Sequence, residues 1–373
     1  MWNQPWKLAE GFLIGAVLVA TGLLLQFTFG PVNWDVFAFP FNILVLVVFL
    51  LLVAVAFFLR AKVYAFRYLG SSLSAIPALC YAVGLTAVMG LTRQVPSAQP
   101  ATDLLGLTHM LSFWPFVLVY VWIAFILGIV TLKRLTGLLQ FWEKSSPRRD
   151  IPFLLNHLGL FITMTTATLG NADMQRLKMT ISSEGPEWRA VDDEGRMHEL
   201  PIAIRLEDFR IDEYPPKLVM VDNNTGRPMG GKQAETLFGA ATVMAVYQLF
   251  FASRTGRKGA TAVVTADSGA EALDITDNLI SVGYCFMTLG MLFGALWAKE
   301  AWGHYWSWDP KETWAAITWF AYLVYIHLRT ARPRAVRPSL WILVLAFVLL
   351  QMCWWGINYL PSAQGTSVHT YTT

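Results

Sequence analysis

Six of the chain's 16 tryptophans lie between Trp297 and Trp319, with three charged residues in the string Trp302-Gly-His-Tyr-Trp306-Ser-Trp308-Asp309-Pro-Lys311-Glu312-Thr-Trp314. Indole rings offer wide stacking faces and a polar N–H. Set among acids and a lysine, they suit a large, flat, apolar ligand with polar edges, and haem is such a ligand. An interfacial aromatic belt also enriches Trp and Tyr. A belt, however, has no need of an ordered W-x-W-D-P-K-E string.

The chain has six histidines, few enough to weigh singly. Haem iron accepts imidazole as an axial ligand, and an ionisable group inside a bilayer is costly and rare. His157 falls about a third of the way into one apolar run, and His327 near the end of another that travels the opposite way. Both then sit at a similar depth, where two helices could clamp one haem. The plainer alternatives are a core imidazole bonded to a backbone carbonyl for His157 and an interfacial side chain for His327. His109 stands at the outer mouth of a third run. His304 lies within the tryptophan string, His198 reads as a solvated surface residue, and His369 follows the last apolar run.

The charges invite two readings. Lys311 suits a haem carboxylate as a cationic donor, and Arg329 with Arg332 could hold the propionates of a second haem. Asp309 and Glu312 could order the loop or cap the helix that follows. Interfacial anchoring explains the basic residues equally well.

The elements that must position these groups are membrane helices. The composition is 55% hydrophobic and 14% charged, with mean hydropathy +0.47, which excludes an ordinary soluble enzyme. Runs of about 20 apolar residues mark spans, and nine are expected: 11–30, 41–59, 73–92, 110–132, 151–170, 236–252, 279–298, 314–328 and 339–360. The first is too long, and lacks the small-residue cleavage site, for a removable signal peptide. With the N-terminus inside, the inner segments carry sixteen Lys and Arg and the short outer loops only Arg93, Lys299 and Lys311. That asymmetry puts the tryptophan string and the C-terminus outside. Net charge of +3 therefore reflects topology and points to no nucleic acid. Cys80, Cys285 and Cys353 lie in apolar runs without a C-x-x-C pair and read as inert core residues.

One hydrophilic island, 172–235, holds 13 of the 25 acidic residues. Its alternating runs Leu200–Leu206 and Lys217–Val221, with turns at Asp193–Gly195 and Asn223–Gly226, predict a small β-rich domain. The polar stretch 254–278 reads as an inner linker. The fold class expected is thus membrane α-helical, about nine transmembrane helices, with one small β-rich extracytoplasmic domain. The division is 1–171 transmembrane, 172–235 extracytoplasmic and 236–373 transmembrane with the tryptophan string.

The tryptophan string resembles the "WWD" motif of the haem-handling proteins of cytochrome c maturation. Phe153-Leu-Leu-Asn-His157-Leu-Gly-Leu-Phe-Ile, Leu169-Gly-Asn-Ala-Asp-Met174 and Asp212-Glu-Tyr-Pro-Pro-Lys-Leu218 resemble CcsB (ResB). Residues 279–371 resemble the carboxy-terminal part of CcsA. Together the chain resembles a shortened CcsBA-type (system II) cytochrome c synthetase. The resemblance implies haem b, one or two per chain, with His157 and His327 as transmembrane iron ligands and His369, in Gly365-Thr-Ser-Val-His-Thr-Tyr371, as an outer one. It implies a catalytic surface of Trp302, Trp306, Trp308 and Asp309, flanked by Trp314 and Lys311. The implied activity is export of haem and its covalent attachment to the C-x-x-C-H segment of apocytochrome c, in the bacterial cytoplasmic (inner) membrane. Thiol-reducing proteins on the outer side are the implied partners. The family's second outer ligand lies upstream of its tryptophan motif, yet 210–303 contains no histidine here. His109 has the right side but belongs to the CcsB-like half. The alternative is therefore a non-catalytic haem-binding or haem-relay protein working with a partner membrane subunit. A CcmC- or CcmF-like delivery role and a secondary transporter are more remote readings.

Overall fold

The computed structural model of the chain describes residues 4–95, 101–140, 147–170, 173, 177–192, 195–208, 264–360 and 362–363. Residues 1–174 and 274–373 form one compact unit, and 175–273 a second. Its main helices are α1 (Leu8–Phe29), α2 (Phe41–Leu59), α3 (Tyr64–Leu69), α4 (Ser72–Leu91), α5 (Trp114–Gln140), α6 (Pro147–Gly170), α7 (Val264–Trp302), α8 (Pro310–Ala331) and α9 (Val336–Trp354).

Among the described residues, seven helices are long and apolar enough to cross a membrane: α1, α2, α4, α5, α6, α7 from Thr276, and α9. At 1.5 Å per residue, each approaches or exceeds the roughly 30 Å of a hydrocarbon core. The chain is a multi-pass helical membrane protein. Of the nine expected spans, 236–252 lies outside the described residues. The span expected at 314–328 is a helix, α8, but it is too polar to join the seven. Its position explains why. α8 packs against α4 on one side and α9 on the other, burying Trp314, Ile317, Thr318, Ala321, Val324 and Tyr325. A helix sheathed by protein needs no all-round apolar surface, so it can carry threonines, tyrosines and a histidine. α2 shows the opposite case: Leu44, Val48, Leu51, Leu52, Val55 and Phe58 are exposed along it, as a lipid-facing helix requires.

α4 is the hub of the first unit, packing on α8, α1 and α5, while α6 packs on α5 and α2. Ile76 and Leu79 of α4 meet Val324 and Leu328 of α8 in one buried cluster, and Trp314 and Ile317 meet Ile357 and Ala363 in another. The two stretches that the sequence separates as transmembrane domains thus share one core. Cys80 and Cys353 are partly buried there, but Cys285 is exposed on α7, which corrects its reading as a core residue.

In the second unit, β1 (Leu177–Lys178), β2 (Glu187–Asp192) and β3 (Met197–Ile204) form an antiparallel sheet in that order. The β2–β3 register pairs Arg189 with Glu199 and Ala190 with His198. Gly195, at φ 82°, lies in the connecting turn. His198 is engaged rather than merely solvated: its Nε2 lies 2.8 Å from Asp192 Oδ2. The expected strand 217–221 and turn 223–226 lie outside the described residues.

Candidate functional site

The start of α8 organises the tryptophan string. Asp309 is its N-cap, accepting from the Lys311 N–H at 3.1 Å, and Pro310 opens the helix. Glu312 reaches back as the third residue of a capping box, its Oε2 accepting from the N–H groups of Ser307 (2.8 Å) and Asp309 (3.2 Å). Both carboxylates are buried, and they satisfy N–H groups that a helix start leaves orphaned. Asp309 and Glu312 therefore fill both roles the sequence left open: together they cap α8, and Glu312 also orders the loop through Ser307.

Within the loop, Trp306 and Trp308 meet edge to face at 5.7 Å and 84°. Trp297 and Trp302 do the same at 4.9 Å. Trp308 has φ 58°, a left-handed backbone that a bulky residue adopts only under constraint. The constraint is visible: its carbonyl accepts from Thr313 Oγ1 at 3.0 Å, and its ring packs on the cluster of Met89, Met110 and Phe113. Trp302, His304, Trp306, Trp308 and Lys311 are all half-buried. The Trp306 Nε1 and His304 Nδ1 atoms are buried without a hydrogen-bond partner.

Trp314 stands apart from that surface. It is 4% exposed and donates its indole N–H to the Gly90 carbonyl of α4 at 3.2 Å. The same carbonyl accepts from Ser362 Oγ at 3.0 Å. Trp314 is thus a core anchor that docks the loop's helix on α4, not a face open to a flat ligand. His369, six residues past Ala363, lies outside the described residues.

At the other end of this unit, His157 of α6 and His327 of α8 are both half-buried. Each Nδ1 lies 2.9 Å from the carbonyl four residues earlier, Phe153 for His157 and Leu323 for His327. A carbonyl only accepts, so each Nδ1 carries the proton and each Nε2 keeps its lone pair. The carbonyl bond foreseen for a purely structural imidazole is also the bond that orients a ligand. The Phe153 ring stacks on His157 at 3.9 Å, and the Arg134 guanidinium, ion-paired with Asp150, lies 5.0 Å from that ring.

Arg329 is committed elsewhere. Its Nε and Nη2 donate to Asp277 of α7 at 3.0 and 2.7 Å, and Tyr325 Oη donates to the same carboxylate at 2.7 Å. Sequence reasoning missed Asp277 by assigning it to a polar linker. The available signal was the last of three acids, after Glu271 and Asp274, at the border of an apolar run. Arg332, the other basic candidate, lines an open recess with Pro333, Arg334 and Ala335. Among the described residues, no group of three or more His, Cys, Asp or Glu gathers to hold a bare metal ion.

Residues 236–363 match the family described as Cytochrome C assembly protein. The cytochrome c biogenesis protein CcsA of Daucus carota is 47% identical over 94 residues, covering 25% of this chain and 28% of that protein. The CcsA proteins of Lactuca sativa and Vitis vinifera are 46% and 45% identical over the same length and the same shares of each chain. The chain thus spans a little over a quarter of the curated relatives it matches. No solved structure matches it.

Proposed function

We propose that this protein handles haem in cytochrome c biogenesis, taking it up between His157 and His327 and presenting it at the tryptophan loop to an apocytochrome c. The observation that carries the reading is the paired imidazoles. Two half-buried histidines on separate membrane helices are each locked through Nδ1, leaving both Nε2 lone pairs as donors. Neutral imidazole nitrogens of this kind are what haem iron takes as axial ligands. The similarity of 236–363 to cytochrome c assembly proteins supports the same chemistry from an independent direction.

The residues present fit the group. The buried, unpartnered Trp306 Nε1 and His304 Nδ1 are polar atoms for which a ligand's polar edge would supply partners, and buried polar atoms without partners are rare in folded proteins. Trp302, Trp306 and Trp308 offer the flat apolar surface, and Lys311 a cation for a carboxylate. Asp309 and Glu312 hold that surface in shape. When bound, haem supplies the vinyl groups to which cysteine thiols of a C-x-x-C-H segment add. The protein supplies orientation and exclusion of water. His369 follows the Ser362–Ala363 anchor by six residues, at most about 20 Å of chain, and belongs to the outer site on this reading. We place the tryptophan loop and C-terminus outside and the N-terminus inside, by the distribution of basic residues.

The test is the visible spectrum of detergent-purified protein with a haem assay, followed by co-expression with an apocytochrome. Low-spin haem and covalent cytochrome are the expected results. His157→Gly and His327→Gly should each remove the haem of that pair, with added imidazole restoring it. Haem without covalent product would assign the protein to haem relay with a partner subunit. Colourless protein after growth with ample haem would sink the haem reading.

A further inference from the structure

The geometry points to His109 as an iron ligand of the outer haem, supplied by the N-terminal part of the chain across the end of α4. This rests on the haem reading above and answers the question the sequence leaves: which histidine stands opposite the tryptophan loop when 210–303 contains none.

Three observations carry it. The first is the orphaned atom: His109 Nε2 is buried with no hydrogen-bond partner. A neutral imidazole nitrogen in that state is costly to a fold unless something else satisfies it, and a metal is one such partner.

The second is the rigidity of its loop. Asp103 accepts from the N–H groups of Leu107 (2.7 Å) and Thr108 (2.8 Å) and from Thr108 Oγ1 (2.6 Å). Gln94 donates to the Leu107 carbonyl at 3.1 Å and accepts from the Met110 N–H at 3.1 Å. Gly106 takes φ 78°, and a side chain there would come within 2.6 Å of Gln26. These bonds bracket His109 on both sides and hold it at φ −122°, ψ 54°, out of line with the turn around it. A ligand side chain is held in this way when its aim matters.

The third is shared anchorage. The His109 loop is fastened at Thr92, Gln94 and Val95, immediately after the Gly90 carbonyl that receives Trp314 and Ser362. Trp308 packs in the cluster that contains Met110 and Phe113, with Leu107 against it. The residues flanking His109 thus lie in one hydrophobic cluster with the tryptophan loop. His304 also has an unpartnered ring nitrogen, but the bonds beside it tie Gly303 to the exposed Lys299, and Tyr305 on its other side is exposed.

The experiment uses the full chain and reads the haem spectrum and reduction potential rather than activity. In a His157→Gly background, which removes the inner pair, the remaining haem should change from six-coordinate low-spin to high-spin on adding His109→Gly, and imidazole should reverse this. His109→Met should keep haem bound while raising its potential and introducing a thioether–iron absorption, which a purely structural role would not produce. His198→Gln, whose ring is held by Asp192 in the second unit, should leave the spectrum in place. If the outer haem of red protein is unaltered by either His109 change, the assignment fails and the haem reading stands. If the unsubstituted protein is colourless, both fail together. Loss of low-spin absorption on His304→Gln but not on His109→Gly would transfer the ligand role to His304.

Discussion

The Trp314 indole and the Gly90 carbonyl meet at 3.2 Å although 224 residues separate them in the chain. This single bond, with Ser362 on the same oxygen, registers the start of α8, the segment that follows α9 and the C-terminal end of α4 on one point. It works only because residue 90 has no side chain: a Cβ there would lie 2.9 Å from Trp314 Nε1 and 3.1 Å from Ile317 Cδ1.

Gly90→Ala should therefore push α8 away from α4. Overpacking of this kind costs about 1–3 kcal/mol, seen as a lower unfolding temperature in detergent; on the function proposed above, it also alters the outer-haem spectrum and leaves the His157–His327 haem in place. Gly84→Ala, on the same helix but with nothing within 4 Å of its added Cβ, is the control and should be close to neutral. Because Ala favours a helix more than Gly does, equal losses from both would show that something other than the Trp314 contact sets the effect.

Asp277 and Arg329 join α7 to α8 beside Tyr325, and the arginine side chain is only 11% exposed. Asp277→Ala leaves that guanidinium without its carboxylate. The carboxylate is 31% exposed, so the loss should fall between those of surface and buried pairs, roughly 1–3 kcal/mol. Because α7 leads directly into Trp302, the same change should loosen the tryptophan loop. A double-mutant cycle with Arg329→Gln measures the coupling; strictly additive losses would mean that the pair contributes nothing as a pair.

The Asp103 carboxyl carries a pH dependence to the His109 loop. Burial acts to raise its pKa, but the hydrogen bonds from Thr108, Leu107 and Gly106 together outweigh it and hold the group below its ordinary value of 3.8. A depressed pKa contributes stability that is fully present above the unfolded value and lost as pH falls through the folded one. Hydrogen exchange of amides 101–112 should accordingly be unaffected by this group between pH 5 and 8, once corrected for intrinsic rates, and opening should increase only below roughly pH 4. Asp103→Asn should open the loop at neutral pH. Unchanged protection in that variant would mean that Gln94 and Gly106 suffice to hold the loop.

The membrane class, most of the helices and the chemical character of the site were legible in the residues as written. Crossing a bilayer demands about 20 apolar residues in a row, a requirement written in one dimension, so α1, α2, α4, α5, α6, α7 and α9 were legible. The capping box at Asp309 and Glu312 and the Nδ1 bonds of His157 and His327 join residues three or four apart, and helix geometry alone makes them predictable. The pairings that packing alone set join residues far apart. Trp314 belongs to the core because Gly90 is there to receive it, and Arg329 belongs to Asp277 rather than to a ligand. The loop around His109 and the tryptophan loop share one hydrophobic cluster because both are fastened to one end of α4. α8 is less apolar than the other seven long helices for the same reason: neighbours, not lipid, cover it. Packing sets partners by proximity in space, and no spacing along the chain records which helix will lie against which.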